Sequence, residues 1–137
     1  MLLPILLGAV LGALFVLVAR RRGRTGEARL LALGLVVAAL IYVGLALAGA
    51  DHHGLAFEAA GLGIFGVIAW LGARASLWWL VLGWVAHVGW DVGLHLDRSD
   101  ASVAAWYPLL CVGLDLVVAG YLLGPAGAGP ASRIEAA

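Results

Sequence analysis

Apolar positions in this chain fall in long, nearly uninterrupted blocks instead of the one-sided stripes of a soluble helix. The blocks cover residues 2–19, 28–50, 54–73, 75–96 and 107–124. A helix that crosses the hydrocarbon core of a bilayer needs about 17–25 predominantly apolar residues, so each block is long enough to span. The pattern predicts an all-α integral membrane bundle of five transmembrane helices forming a single domain over residues 1–124. The joints after residues 50 and 73 are so short that the second, third and fourth helices must be antiparallel neighbours. Residues 125–137, rich in Gly, Ala and Pro, read as a disordered cytoplasmic tail.

Composition agrees with the pattern. Of 137 residues 64% are apolar and 12% charged, with a mean hydropathy of +1.07, whereas a soluble domain carries roughly 25% charged residues. The charges cancel, so no basic footprint for nucleic acid exists. A single cysteine excludes an intrachain disulfide. Lys, Asn and Gln are absent while Ala, Gly, Arg and Leu abound, a bias that points to a G+C-rich bacterial genome and to a multi-pass protein of the bacterial plasma membrane.

Arginine placement sets the expected orientation, because cytoplasmic loops retain Lys and Arg whereas Asp and Glu count for little. With the N-terminus outside and the C-terminus cytoplasmic, Arg20, Arg21, Arg22, Arg24, Arg29, Arg74 and Arg133 lie inside and only Arg98 outside. The arginines at 20–24 follow the first apolar block, whereas a cleaved secretory signal carries its positive charges ahead of it; the block is read as a retained anchor. Trp70, Trp78 and Trp79 fall near the inner boundary and Trp90, Trp106 and Tyr107 near the outer one, as interfacial belts do. Gly8 with Gly12, and Gly89 with Gly93, are small-xxx-small pairs that let helices approach closely. Packing within the bundle is the preferred use of both, ahead of a homodimer contact.

The informative residues are the ionisable ones inside the blocks: Glu58, His87, Asp91, His95 and Asp115. A charged group at mid-bilayer costs about 2.5–3.5 kcal/mol on insertion scales, so each is a functional candidate by default. With a rise of about 1.5 Å per residue, Glu58 and Asp91 lie roughly 6–8 Å, and His87 and Asp115 roughly 12–14 Å, from the same membrane face, with His95 at the rim. His87, Asp91 and His95 follow one another at four-residue steps and form a single helix stripe. Cys111 shares a face with Asp115, and Tyr42 matches Asp115 in depth; with Trp90 they are expected to line the pocket. His52 and His53 are interfacial and read as solvated.

No Lys or Arg lies deep in any span to balance these acids. Buried carboxylates without a counterion either take up protons or bind a cation. Imidazole with carboxylate suits Zn, Fe or Mn better than Mg or Ca, and zinc heads the candidates. His87, Asp91 and His95 are expected as metal ligands, with one acid from another helix as the alternative third donor, and Glu58 and Asp115 as catalytic acid–base groups. The preferred function is a metal-dependent, hydrolase-like membrane enzyme acting on a lipid-like or amphipathic substrate. The alternatives are a transporter that binds protons or a metal ion, a structural or partner-binding protein with a satisfied polar network, and a haem or quinone protein.

The run His87-Val-Gly-Trp90-Asp91, followed by His95 and then Trp106-Tyr107-Pro108 with Cys111 and Asp115, resembles an uncharacterised family of small bacterial integral membrane proteins. Its pattern is an acid early in one helix, His-x-x-Trp-Asp on the next and Trp-Tyr-Pro-x-x-Cys-x-x-x-Asp on the last. The resemblance covers roughly residues 58–121. Family members carry a His pair soon after Trp-Asp, where this chain has His95 alone. The family is a domain of unknown function, so the resemblance implies site residues and no reaction. A looser similarity, of architecture only, is to alkaline-ceramidase-type membrane zinc hydrolases, which also gather His and Asp near one membrane face.

Overall fold

The computed structural model describes residues 2–49, 52–96 and 103–124. They form α1 (Leu2–Arg20), α2 (Gly23–Ala48), α3 (His52–Arg74), α4 (Leu77–Trp90), continued by a π-helical turn (Asp91–Leu96), and α5 (Trp106–Leu123), with no strand among the described residues. Among the described residues, five helices are long and apolar enough to cross a membrane, the fourth being α4 together with the π-turn. The expected tail at 125–137 lies outside the described residues, as do Asp51, Asp97 and Arg98.

Helix boundaries follow local chemistry. Gly23, at φ 69°, makes the left-handed step that turns the chain from α1 into α2. Helix α2 therefore begins well before residue 28 and includes Arg24, while Arg21 and Arg22 form the turn before it. Helix α4 starts at Ser76, whose hydroxyl accepts from the Trp78 N–H at 3.3 Å, an ordinary N-cap.

The chain runs up and down between two ends. Tyr42, Glu58, His95 and Tyr107 lie towards one, the site end; Arg20, Arg24 and Arg74 lie towards the other, the arginine end. The helices close a ring in which α1 packs on α5 and α2, α2 on α3, α3 on α4 and α4 on α5, with further contact between α2 and α4 across it. Leu31, Leu35, Phe65, Leu80, Trp84, Val118 and Leu122 fill its centre. Outward faces are Leu- and Val-rich, as at Leu3, Leu6, Val10, Leu14, Leu40, Val67 and Leu82, while the buried set includes Glu27, Glu58, His87, Asp91, His95 and Asp115. Water would penalise that arrangement at both surfaces, and lipid rewards it.

Helices α1 and α5 run parallel and pack backbone to backbone. A Cβ on Gly8 would overlap the Leu110 carbonyl, one on Gly12 would reach the Leu114 carbonyl at 2.8 Å, and one on Gly113 would overlap the Ile5 carbonyl. The first small-xxx-small pair thus packs inside the bundle as expected. The second does not: Gly89 and Gly93 are exposed and a Cβ on either would meet nothing within 4 Å. The reason is rotational. His87 and Asp91 take the inward face of this helix, which turns the two glycines away from it.

Candidate functional site

Four of the five helices contribute to the polar cluster at the site end. Its deepest part is His87 on α4, Asp91 one turn later where the helix widens, and Asp115 on α5, each with 0% exposure. His87 Nδ1 lies 2.7 Å from Asp115 Oδ2, within hydrogen-bond distance, and 3.5 Å from Asp91 Oδ2. Tyr42, reaching across from α2, donates its hydroxyl to Asp91 Oδ1 at 2.7 Å. One potential ligand atom from each of His87, Asp91 and Asp115 falls within 4.8 Å of the others.

Each of these three residues has one polar atom in a hydrogen bond and one outside any. His87 Nε2, Asp91 Oδ2 and Asp115 Oδ1 are buried with no hydrogen-bond partner among the described residues. Buried polar atoms are nearly always satisfied, and the exceptions call for a proton, an ion or a water. The charge balance points the same way. Two carboxylates face one imidazole, and the sequence between Arg29 and Arg74 and between Arg74 and Arg98 contains no Lys or Arg.

A second, shallower group adjoins the first. Glu58 on α3 and His95 at the end of the π-turn are 7% and 9% exposed. Trp90 Nε1 donates to Glu58 Oε2 at 3.1 Å. His95 Nε2 lies 3.2 Å from Glu58 Oε1, yet makes no aligned hydrogen bond to any described residue. The pair is close enough for ionic attraction, but the ring N–H direction misses the oxygen. Between the two groups stands Tyr42. Its ring stacks on His95 at 4.1 Å and 7° and meets Tyr107 edge-on at 5.5 Å, while its hydroxyl serves Asp91. Phe65 closes the other side, edge-on to both His87 and Trp90.

The helix geometry explains who meets whom. In a regular α-helix each four-residue step drifts about 40° in the same sense. A π-turn, with its i→i+5 bonds, puts more than four residues into each turn, so a four-residue step stops short of a full rotation and the drift changes sign. His95 is thereby held next to Glu58 of α3, while His87, earlier on α4, faces Asp115 of α5.

The expected site residues are regrouped accordingly. His87 and Asp91, expected as ligands, stand together, and the third donor beside them is Asp115, the acid from another helix expected as the alternative to His95 and otherwise as a catalytic group. His95, expected as a ligand of the same set, sits with Glu58. Tyr42 and Trp90 are hydrogen-bonded members of the cluster, beyond the lining role expected of them. Cys111 is buried one turn before Asp115. The side chains of His52 and His53 lie outside the described residues. Sequence reasoning missed Glu27, which is 6% exposed at the arginine end and accepts from the Tyr121 hydroxyl at 2.7 Å. Its signal was available: Glu27 continues the inward row of Leu31 and Leu35 by one turn.

No family model, curated protein or solved structure matches this chain.

Proposed function

We propose that this chain is a multi-pass protein of a bacterial plasma membrane that holds a divalent transition-metal cation between His87, Asp91 and Asp115, with the site end facing outward. The observation that carries the reading is the fully buried polar atom outside any hydrogen bond on each of these three residues. A cation uses lone pairs that have no hydrogen bond among the described residues, and it cancels a carboxylate excess that the surrounding sequence does not. One imidazole with two carboxylates is a donor set for Zn, Mn or Fe. His87 would offer Nε2 to the cation as a neutral imidazole while Nδ1 stays against Asp115, the arrangement common among metal-bound histidines. Tyr42 keeps Asp91 oriented through its other oxygen, as partners of metal ligands commonly do.

Cation binding ranks ahead of hydrolysis of a lipid-like substrate. Hydrolysis needs a metal position open to water and substrate, and the three residues have no exposure. A second reading is favoured by the two 2.7 Å hydrogen bonds, Tyr42 to Asp91 and His87 to Asp115: a proton-sharing network that only locks α2, α4 and α5 together.

Elemental analysis of the purified full chain separates the two. The metal reading expects about one equivalent of transition metal per chain, lost in His87→Ala and Asp91→Ala. Wild-type protein that is folded, metal-free and unable to take up Zn2+, Mn2+ or Co2+ would leave the locking network as the function of the cluster.

A further inference from the structure

We infer that Glu58 and His95 form a separate, shallower cation site that loads the buried one, an inference that rests on the metal reading above. The first support is geometric. A metal with N and O ligands at about 2.0–2.2 Å, tetrahedrally arranged, sets its donor atoms roughly 3.3–3.5 Å apart. Glu58 Oε1 and His95 Nε2 are 3.2 Å apart, and the ring nitrogen is not aligned as a hydrogen-bond donor to any described residue. Two donor atoms side by side, without a proton aimed from one to the other, suit a shared cation better than they suit each other.

The second support is position. Exposure falls from 9% at His95 and 7% at Glu58 to 0% at Asp91, His87 and Asp115, so a cation arriving from the site end meets Glu58 and His95 first. Asp91 and His95 stand one turn apart on the same helix. Their side chains are joined by a single residue, Tyr42, whose ring covers His95 and whose hydroxyl holds Asp91. The third support is that Glu58 is oriented through its other oxygen. Trp90 Nε1 occupies Oε2, which leaves Oε1 turned to His95. Two protein donors make a weaker site than three, and that is what a loading station requires: it must capture the ion and also release it.

The pair therefore governs how fast the metal arrives, and the buried three residues govern whether it stays. The test is rapid mixing of detergent-solubilised full chain with Co2+, following its visible absorption. Glu58→Gln keeps an acceptor for Trp90, His95→Gln keeps a polar atom at its position, and each variant is read only with a melting curve that matches wild type. The expected result is loading slowed about tenfold or more, the scale on which a charged entrance raises association rates, with an unchanged final spectrum and amplitude. Glu58→Asp, which retains a carboxylate, should recover much of the rate. Unchanged rates in both Gln variants would overturn the loading role, as would a lost share of the final amplitude, which would make the pair resident ligands. If wild type itself develops no Co2+ spectrum, it is the buried site that has failed, and that trace identifies the failure without any variant.

Discussion

Both ends of the bundle bury a carboxylate, and they do so under opposite conditions. At the arginine end Glu27 accepts a hydrogen bond from Tyr121, whose ring in turn lies 5.8 Å from the guanidinium of Arg20. Arginines at 20, 21, 22, 24 and 29 crowd the same stretch of chain. At the site end Asp91 and Asp115 sit deeper, share one imidazole and each keep an oxygen without a hydrogen bond among the described residues. Burial alone therefore does not mark a site. What distinguishes the two ends is whether the local sequence supplies the countercharge: an acid beside arginines is part of the membrane boundary, whereas two acids beside one histidine leave a charge excess that only a proton or a cation can settle.

The largest effect should come from breaking the deeper group. Asp115→Ala removes the 2.7 Å hydrogen-bond partner of His87 and leaves the buried imidazole only the longer contact with Asp91, a loss of about 3–5 kcal/mol by analogy with broken buried ion pairs. It should also abolish metal uptake. Denaturation of the variant in mixed detergent, beside its metal content, measures both. A loss no larger than that of a change at the arginine end would erase the contrast.

Tyr42→Phe comes next. It keeps the ring that stacks on His95 and deletes only the hydroxyl that serves Asp91. Hydrogen bonds to charged groups contribute about 1.5–3 kcal/mol, and second-layer partners of a ligand affect metal affinity about 10–100-fold. The variant should bind metal more weakly at unchanged stoichiometry, as seen by titration calorimetry. Unaltered affinity would detach Tyr42 from the site and leave it as a packing residue.

The spans and the shared depth of the acids were legible in the sequence because hydropathy and rise per residue depend on one segment at a time. The lateral arrangement was not. Gly8 with Gly12 and Gly89 with Gly93 have the same spacing, yet one pair meets α5 and the other faces outward, because spacing says that two residues share a face without saying which way the face points. His95 shows the same limit. Its four-residue step from Asp91 suggested one ligand stripe, but the π-turn and the proximity of α3 give it to Glu58. Glu27 escaped notice for a different reason. It stands just before the apolar block, among arginines, where a carboxylate looks like part of a solvated loop until Gly23 is seen to start the helix four residues earlier.

The smallest effect tests the end where nothing is missing. Tyr121→Phe deletes the hydroxyl that donates to Glu27 and leaves the ring under Arg20. The carboxylate lies close to the membrane boundary, so water can replace part of the lost bond and the cost should be about 0.5–1.5 kcal/mol. Metal content and loading rate should match wild type, because no ligand or entrance residue is touched. Measured beside Tyr42→Phe, this variant makes the same chemical change, one phenol hydroxyl removed from a buried carboxylate, at opposite ends of the bundle. If both lower metal affinity alike, the two ends are coupled through the core around Leu35, Leu80 and Trp84 and the site is not one-sided. If only Tyr42→Phe does, the countercharge argument has separated a functional carboxylate cluster from a structural one.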